Sequence, residues 1–214
     1  MHESSSRITI RYDINEWIES VTEAHAAGFA VARAGAADVA AIVALVNGAY
    51  RGDSSRGGWT TEADLLGGQR ADAAGIAELI ADPDGAVLLL RDRVGLGGCV
   101  HLERQSGAGC YLGMLTVRPD LQARGVGRRL LGAAEQHAER HFGARSVEMT
   151  VIDARGELIA WYQRRGYRLT GEIRPFPYGD ARFGLPLRDD LRFVVMRREI
   201  GAEVQPDAPR ELAS

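Results

Sequence analysis

The segment Val117-Arg118-Pro119-Asp120-Leu121-Gln122-Ala123-Arg124-Gly125-Val126-Gly127-Arg128-Arg129-Leu130-Leu131 joins glycines, arginines and a helix start within fifteen residues. A strand-like run ends at Val117, Pro119 opens a turn, and Gln122-x-x-Gly125-x-Gly127 leads into an amphipathic helix. Such a segment can cradle an anion. Glycines let backbone N–H groups approach a ligand closely, and a helix N-terminus adds partial positive charge. Arg124, Arg128 and Arg129 stand where guanidinium contacts could be added, and a diphosphate is the natural guest. A tight strand-to-helix turn would use the same glycines, so the segment alone leaves both readings open. It is not the dinucleotide fingerprint, which carries a third glycine and follows a first strand.

A second segment, about 35 residues on, is Ala160-Trp161-Tyr162-Gln163-Arg164-Arg165-Gly166-Tyr167. The pairing of V-x-P-x-x-Q-x-x-G-x-G with a downstream helix ending in Y-x-x-x-G-Y resembles the GNAT superfamily of acyl-CoA-dependent N-acyltransferases. The likeness extends loosely over residues 29 to 200, and its specific part runs from Leu115 to Tyr167. The resemblance implies a mixed α/β (α+β) fold, a mostly antiparallel central sheet flanked by helices. It also implies an N-acetyltransferase that moves an acetyl group from acetyl-CoA, the cosubstrate, to a primary amine of a small molecule or protein.

Position by position, Gln122, Ala123, Arg124, Gly125, Val126, Gly127 and Arg128 look like the turn whose amides hold the CoA pyrophosphate. Leu115, Thr116 and Val117 match the strand whose backbone pairs with pantetheine beside the thioester. Tyr162 matches a phenol placed near the CoA sulfur. An amine attacking a thioester builds charge on the carbonyl oxygen and expels a thiolate. A backbone N–H near Leu115 could stabilise the first, and a phenol protonated at neutral pH could donate to the second. Tyr50, Trp59, Arg70, Phe176 and Tyr178 fall in segments that in this family wall the acceptor pocket. An Arg70 facing that pocket would favour an acceptor bearing a carboxylate.

This chain also departs from the pattern. Where many members carry Asn seven residues before the Tyr, it has Arg155, which puts one CoA contact in doubt or makes it a charged one. The strand Tyr111 to Val117 holds no Glu, although some members keep their general base there. Glu103, Glu148, Asp153 and His101 are candidates by neighbourhood only. A non-catalytic acyl-CoA-binding module, sensing or recruiting through the same cradle, is the alternative to an enzyme.

Other residues take plainer readings. His137 and His141 sit four apart on one helix, but the order H-x-E-x-H is that of a solvated face rather than a metalloprotease motif, and no metal is expected. Cys99 and Cys110 are not spaced as a metal or redox pair, which suits a reducing cytoplasm. All 26 residues counted as Lys plus Arg are Arg. Without lysine there is no Walker-type phosphate loop and no Schiff-base mechanism. A net charge of -3 argues against a dedicated nucleic-acid binder. No stretch approaches the apolar length of a membrane span, and the first residues lack the pattern of a signal peptide. A cytoplasmic location is the expectation, and the family resemblance adds a possible homodimer.

The elements that must position these residues follow from periodicity. An acidic N-terminal extension, residues 1–28, carries a candidate helix over Tyr12 to Ala27. A strand over Phe29 to Arg33 precedes a helix over Ala36 to Asn47. Thr60 or Thr61 could cap a short helix, and another spans Ala73 to Ala81, stopped by Asp82-Pro83-Asp84-Gly85. Strands are expected over Ala86 to Arg91, Gly95 to Glu103 and Tyr111 to Val117. A long helix over Val126 to His141, a strand over Ser146 to Ile152 and a helix over Glu157 to Arg165 follow, with Gly166 just past its end. Tyr167 to Arg174 and Leu191 to Arg197 read as closing strands, and residues 201–214 as a flexible tail. The main domain is thus placed at 29–200.

Overall fold

A strand can be apolar on both faces only where both faces are covered, and Ala86-Val87-Leu88-Leu89-Leu90 is such a run. All five residues are buried in the structure, a computed structural model that describes residues 28–51, 59–180 and 184–201. The candidate helix over residues 12–27 and the tail from residue 202 lie outside the described residues.

In chain order the elements are β1 (Ala30–Arg33), α1 (Val39–Tyr50), β2 (Leu66–Gly67), α2 (Ala73–Ala81), β3 (Gly85–Arg91), β4 (Leu96–Gln105), β5 (Gly109–Val117), α3 (Val126–Phe142), β6 (Ser146–Ile152), α4 (Gly156–Gln163), β7 (Arg168–Pro175), β8 (Leu185–Pro186) and β9 (Arg192–Glu199). Seven strands form one sheet in the order β1-β3-β4-β5-β6-β9-β7, and β2 pairs with β8 in a separate two-stranded one. Every neighbouring pair in the large sheet is antiparallel except β5 with β6. This is the mixed, mostly antiparallel sheet with flanking helices that the family resemblance implied.

Helices cover both faces. α1 buries Ile42, Leu45, Val46 and Ala49, a stripe at helical spacing. With Ile76 of α2 it packs on Val87, Leu89 and Cys99. On the other face α3 buries Leu130, Leu131, Ala134 and Ala138 against Leu88, Leu90, Val100, Leu102 and Leu112. Each fully buried Leu contributes about 1.5–3 kcal/mol. α4 joins this layer through Tyr162, with Leu158 and Trp161 packed at its margin.

Most expected elements are present with ends shifted by a few residues. The helix expected over Ala36 to Asn47 begins as a 3-10 turn (Ala36–Asp38), tied by the Gly35 N–H to Asp38 Oδ2 at 2.9 Å, and continues to Tyr50. Thr61 caps a single turn and not a helix: its Oγ1 accepts from the Ala63 N–H at 3.0 Å. The β2–β8 pair was not anticipated, because two residues carry no periodicity to read.

Candidate active site

The parallel pair β5–β6 is short. Gly109, Cys110 and Tyr111 face Ser146, Val147 and Glu148, and beyond them the two strands are not paired. β5 also carries a bulge. Cys99 faces Thr116 and His101 faces Gly113, so Val100 alone opposes both Met114 and Leu115. Met114 accommodates the extra residue with φ 53, a left-handed conformation uncommon outside glycine. Met114 then packs toward α1 and α2, and Leu115 toward the opposite core.

The widened edge has a definite hydrogen-bonding state. Arg118 donates its N–H to Gly97 O of β4 at 2.8 Å. The Val117 carbonyl accepts instead from Gln122 Nε2 at 3.1 Å, and the Leu115 carbonyl from the Tyr50 hydroxyl at 2.9 Å. A residue's N–H and C=O leave a strand on the same edge, and successive residues alternate edges. The N–H groups of Leu115 and Val117 therefore face the gap.

At one end of the gap lies the N-terminus of α3. Ala123 and Gly125 both take positive φ, 58 and 80, and Gly125 is the N-cap. A Cβ on Gly125 would meet no heavy atom within 4 Å, so its outer side is open space. Gly127 is close-packed instead, its missing Cβ 3.4 Å from Trp161 and 3.6 Å from Val117. First-turn N–H groups have no intrahelical acceptor, and such a terminus attracts anions. Gln122 is a brace: besides holding Val117, its Oε1 accepts from the Trp59 N–H at 2.6 Å.

Around the gap is a cavity of about 220 Å³ walled by Tyr50, Trp59, Leu115 to Val117, Gln122, Ala123, Gly125, Gly127, Arg128, Arg155, Trp161, Tyr162 and Arg165, among others. A second cavity, about 100 Å³, shares Tyr50, Leu115, Arg155, Leu158 and Tyr162 and extends to Glu62 and Arg70. Tyr162 is therefore common to both. Its ring is fixed edge-on by Trp161 at 5.0 Å and Tyr167 at 5.7 Å, and no described residue hydrogen-bonds its hydroxyl. Burial, chiefly, raises its pKa, so the phenol is protonated at neutral pH. Arg165 lies 3.5 Å over the Trp161 ring and donates to the Trp161 carbonyl at 2.6 Å.

The second cavity holds a charge cluster not foreseen from the sequence. Glu62 is buried, and its Oε2 accepts from Arg51 at 2.8 Å while its Oε1 accepts from Arg155 at 2.7 Å. Arg155 also donates to Thr60 Oγ1 at 2.8 Å. Its guanidinium thus ties the Thr60–Glu62 turn to the start of α4. Arg70 lies 5.5 Å over the Tyr50 ring, its Nε 4.0 Å from Glu62. Asn47 holds that stretch of chain: its Oδ1 accepts from the N–H groups of Arg70 at 2.7 Å and Ala71 at 3.0 Å. Thr60 and Thr61 had suggested only a cap, and a Glu two residues on gives no sign of its distant arginines.

Two expected acceptor residues lie elsewhere. Phe176 is buried with Leu66, Ile152 and Leu191, and Tyr178 packs on it and accepts from the Leu191 N–H at 2.7 Å. Neither is among the residues walling the two cavities. Arg124 and Arg129 are exposed and outside both walls. The four base candidates also line neither cavity. Glu148 pairs with Arg174 and Asp153 with Arg192. Glu103 accepts from Gln105, and His101 is buried with its pKa lowered, chiefly by that burial. Burial pushes Cys99 up to about 12 and Cys110 to about 11, so neither is a thiolate at neutral pH. No group of three His, Cys, Asp or Glu side chains suited to a metal occurs among the described residues. Nor is any described helix long and apolar enough to cross a membrane.

The family model for the Acetyltransferase (GNAT) family matches residues 52–167, more than half of the chain. The chain belongs to the GNAT acetyltransferase family. No curated protein sequence matches it. Among solved GNAT-like structures, the ribosomal-protein-S18-alanine N-acetyltransferase from Escherichia coli is similar at 16% identity and TM-score 0.59, covering 87% of this chain and 99% of its own. Nourseothricin acetyltransferase is similar at 22% identity and TM-score 0.57, covering 80% and 98%. A Salmonella typhimurium protein described as an acetyltransferase and solved with its cofactor acetyl-CoA gives 18%, TM-score 0.60, and 84% and 98% coverage. At these identities the likeness is one of fold, and the GNAT reaction class, acetyl transfer, comes with the family.

Proposed function

We propose that this GNAT protein transfers the acetyl group of acetyl-CoA to a primary amine by direct attack of the amine on the thioester, with Tyr162 as the acid. One observation carries the reading: Tyr162, whose hydroxyl has no hydrogen-bond partner among the described residues, lines the same cavity as the open backbone edge of Leu115 and the Gly125 cradle. Acetyl-CoA supplies the activated acetyl group and the thiol that leaves. The rest is the chain's own work.

The cradle suits a diphosphate, because Gly125 leaves open space where a side chain would stand, and α3 presents its N-terminus there. Arg128 and Arg165 supply guanidinium groups on the same wall. The Leu115 N–H sits on the unpaired edge, where it would stabilise charge growing on a carbonyl oxygen. Tyr162 would give its proton to the departing sulfur and keep water from doing so at random. Arg155 is occupied by Glu62 and Thr60, so its part is to hold the wall and not to bind phosphate. Glu62, with an arginine on each oxygen, is a strut and not a base. The amine proton leaves through water, and the acceptor's own pKa governs the pH dependence.

Thiol release from acetyl-CoA, followed over a panel of primary amines alongside calorimetric acetyl-CoA binding, tests the proposal. Release matched by N-acetylated amine is expected. Tight binding with no release on any amine identifies the non-catalytic sensor instead.

A further inference from the structure

The second cavity has an asymmetric charge. Among the described residues lining it, the charged ones are Glu62, Arg70 and Arg155, one carboxylate against two guanidiniums. Arg155 donates to one Glu62 oxygen at 2.7 Å, and Arg51 takes the other at 2.8 Å. Arg70 is left over. Among the described residues its nearest carboxylate oxygen is 4.0 Å away, beyond hydrogen-bond reach, and its guanidinium makes no hydrogen bond to any of them. It is nonetheless held in place. Its side chain is only 30% exposed, stacked on Tyr50, with its backbone clamped by Asn47. A preorganised, half-buried guanidinium with empty donors is a binding group for an anion.

We infer that Arg70 recognises a carboxylate on the acceptor, so that the amine acetylated is that of a small amino acid and not of a polyamine. This rests on the proposed acetyl transfer and names its substrate class. Tyr50 sets the geometry: its ring lies under Arg70 while its hydroxyl reaches the Leu115 carbonyl at the bulge. One tyrosine side chain thus separates the anion-binding group from the backbone where a thioester would lie. An amine a few bonds from its carboxylate spans that interval. Among the described residues of this wall, Arg70 is the guanidinium with no hydrogen-bonded partner, which matches one monoanionic carboxylate, whereas a phosphate dianion calls for a second cation. A polyamine would bring positive charge against a wall that already carries an excess of it.

The test compares amino acids with their decarboxylated amines as acceptors, using acetyl-CoA and the full chain, and repeats the best pair with Arg70→Gln and Arg70→Lys. An amino acid should exceed its matched amine in kcat/KM by about 10- to 100-fold, the worth of a charged hydrogen bond. Arg70→Gln should raise the acceptor KM by a similar factor, with kcat, acetyl-CoA affinity and melting temperature kept, and Arg70→Lys should recover part of the loss. Equal or faster turnover of the decarboxylated amine or of a polyamine overturns the inference while leaving acetyl transfer standing. So does an unchanged KM in a folded Arg70→Gln protein. No thiol release with any acceptor overturns both.

Discussion

The Tyr50 hydroxyl donates to the Leu115 carbonyl at 2.9 Å, joining the last residue of α1 to the bulge of β5 across 65 positions of sequence. That bond turns the edge of a strand into a fixed wall of the cavity. Tyr50→Phe removes the donor and leaves a carbonyl short of a partner, a loss of about 1–1.5 kcal/mol. The expected result is a fall in kcat/KM of roughly tenfold, with a slightly lower melting temperature. Steady-state kinetics with an unchanged kcat/KM would show that the bond has no part in holding the Leu115 N–H.

Gly125 offers a separate check on the cradle. Its φ of 80 makes any side chain there strained, at about 1–2 kcal/mol, but its Cβ would point into open space and clash with nothing. Gly125→Glu should therefore fold and lose acetyl-CoA binding, since a carboxylate would stand where phosphate is expected. Calorimetry on a folded variant that keeps its affinity would move the diphosphate site elsewhere.

Much of the scaffold is legible in the sequence. The strand before Pro119, the Gly125-x-Gly127 turn and the long α3 helix are local features, written in neighbouring residues, and the structure has them in that order. Arg155 shows where that reading stops. Its position marked it as a charged group beside CoA, yet its partners Glu62 and Thr60 are 93 and 95 positions away. Long-range ion pairs leave no period or spacing in a sequence. Phe176 and Tyr178 differ: aromatic residues in a Pro- and Gly-rich loop suggest a ligand wall, whereas in the structure they line neither cavity and Phe176 packs with Leu66, Ile152 and Leu191.

Glu62 gives a stability prediction. Its side chain and those of Arg51 and Arg155 are 8%, 7% and 9% exposed, so Glu62→Ala takes the carboxylate away from two buried guanidiniums. Breaking such a buried pair from one side costs about 3–5 kcal/mol. Chemical denaturation should report a loss of that size. A loss under about 1 kcal/mol, the range of surface pairs, would mean that the cluster is not structurally important.

His137 supplies a pH dependence. Burial first, then His141 and Arg33, lowers its pKa to about 4. The unfolded chain, with a His pKa of about 6.5, then binds more protons than the folded one between those values. This contribution to stability is full above about pH 6.5 and is lost progressively as pH falls toward about 4. Melting temperature against pH should decline across that window, and less steeply in His137→Gln. Parallel curves for the two proteins would remove His137 as a source of the acid sensitivity.

The proposed chemistry rests most heavily on one hydroxyl. Tyr162→Phe deletes that oxygen from a ring held on both sides by Trp161 and Tyr167, so the cavity keeps its shape. With acetyl-CoA and a competent amine acceptor, kcat should fall by about 100- to 10,000-fold, the span of general acid catalysis, while the acetyl-CoA dissociation constant stays the same. A kcat equal to that of the parent protein would contradict acetyl transfer with Tyr162 as the acid.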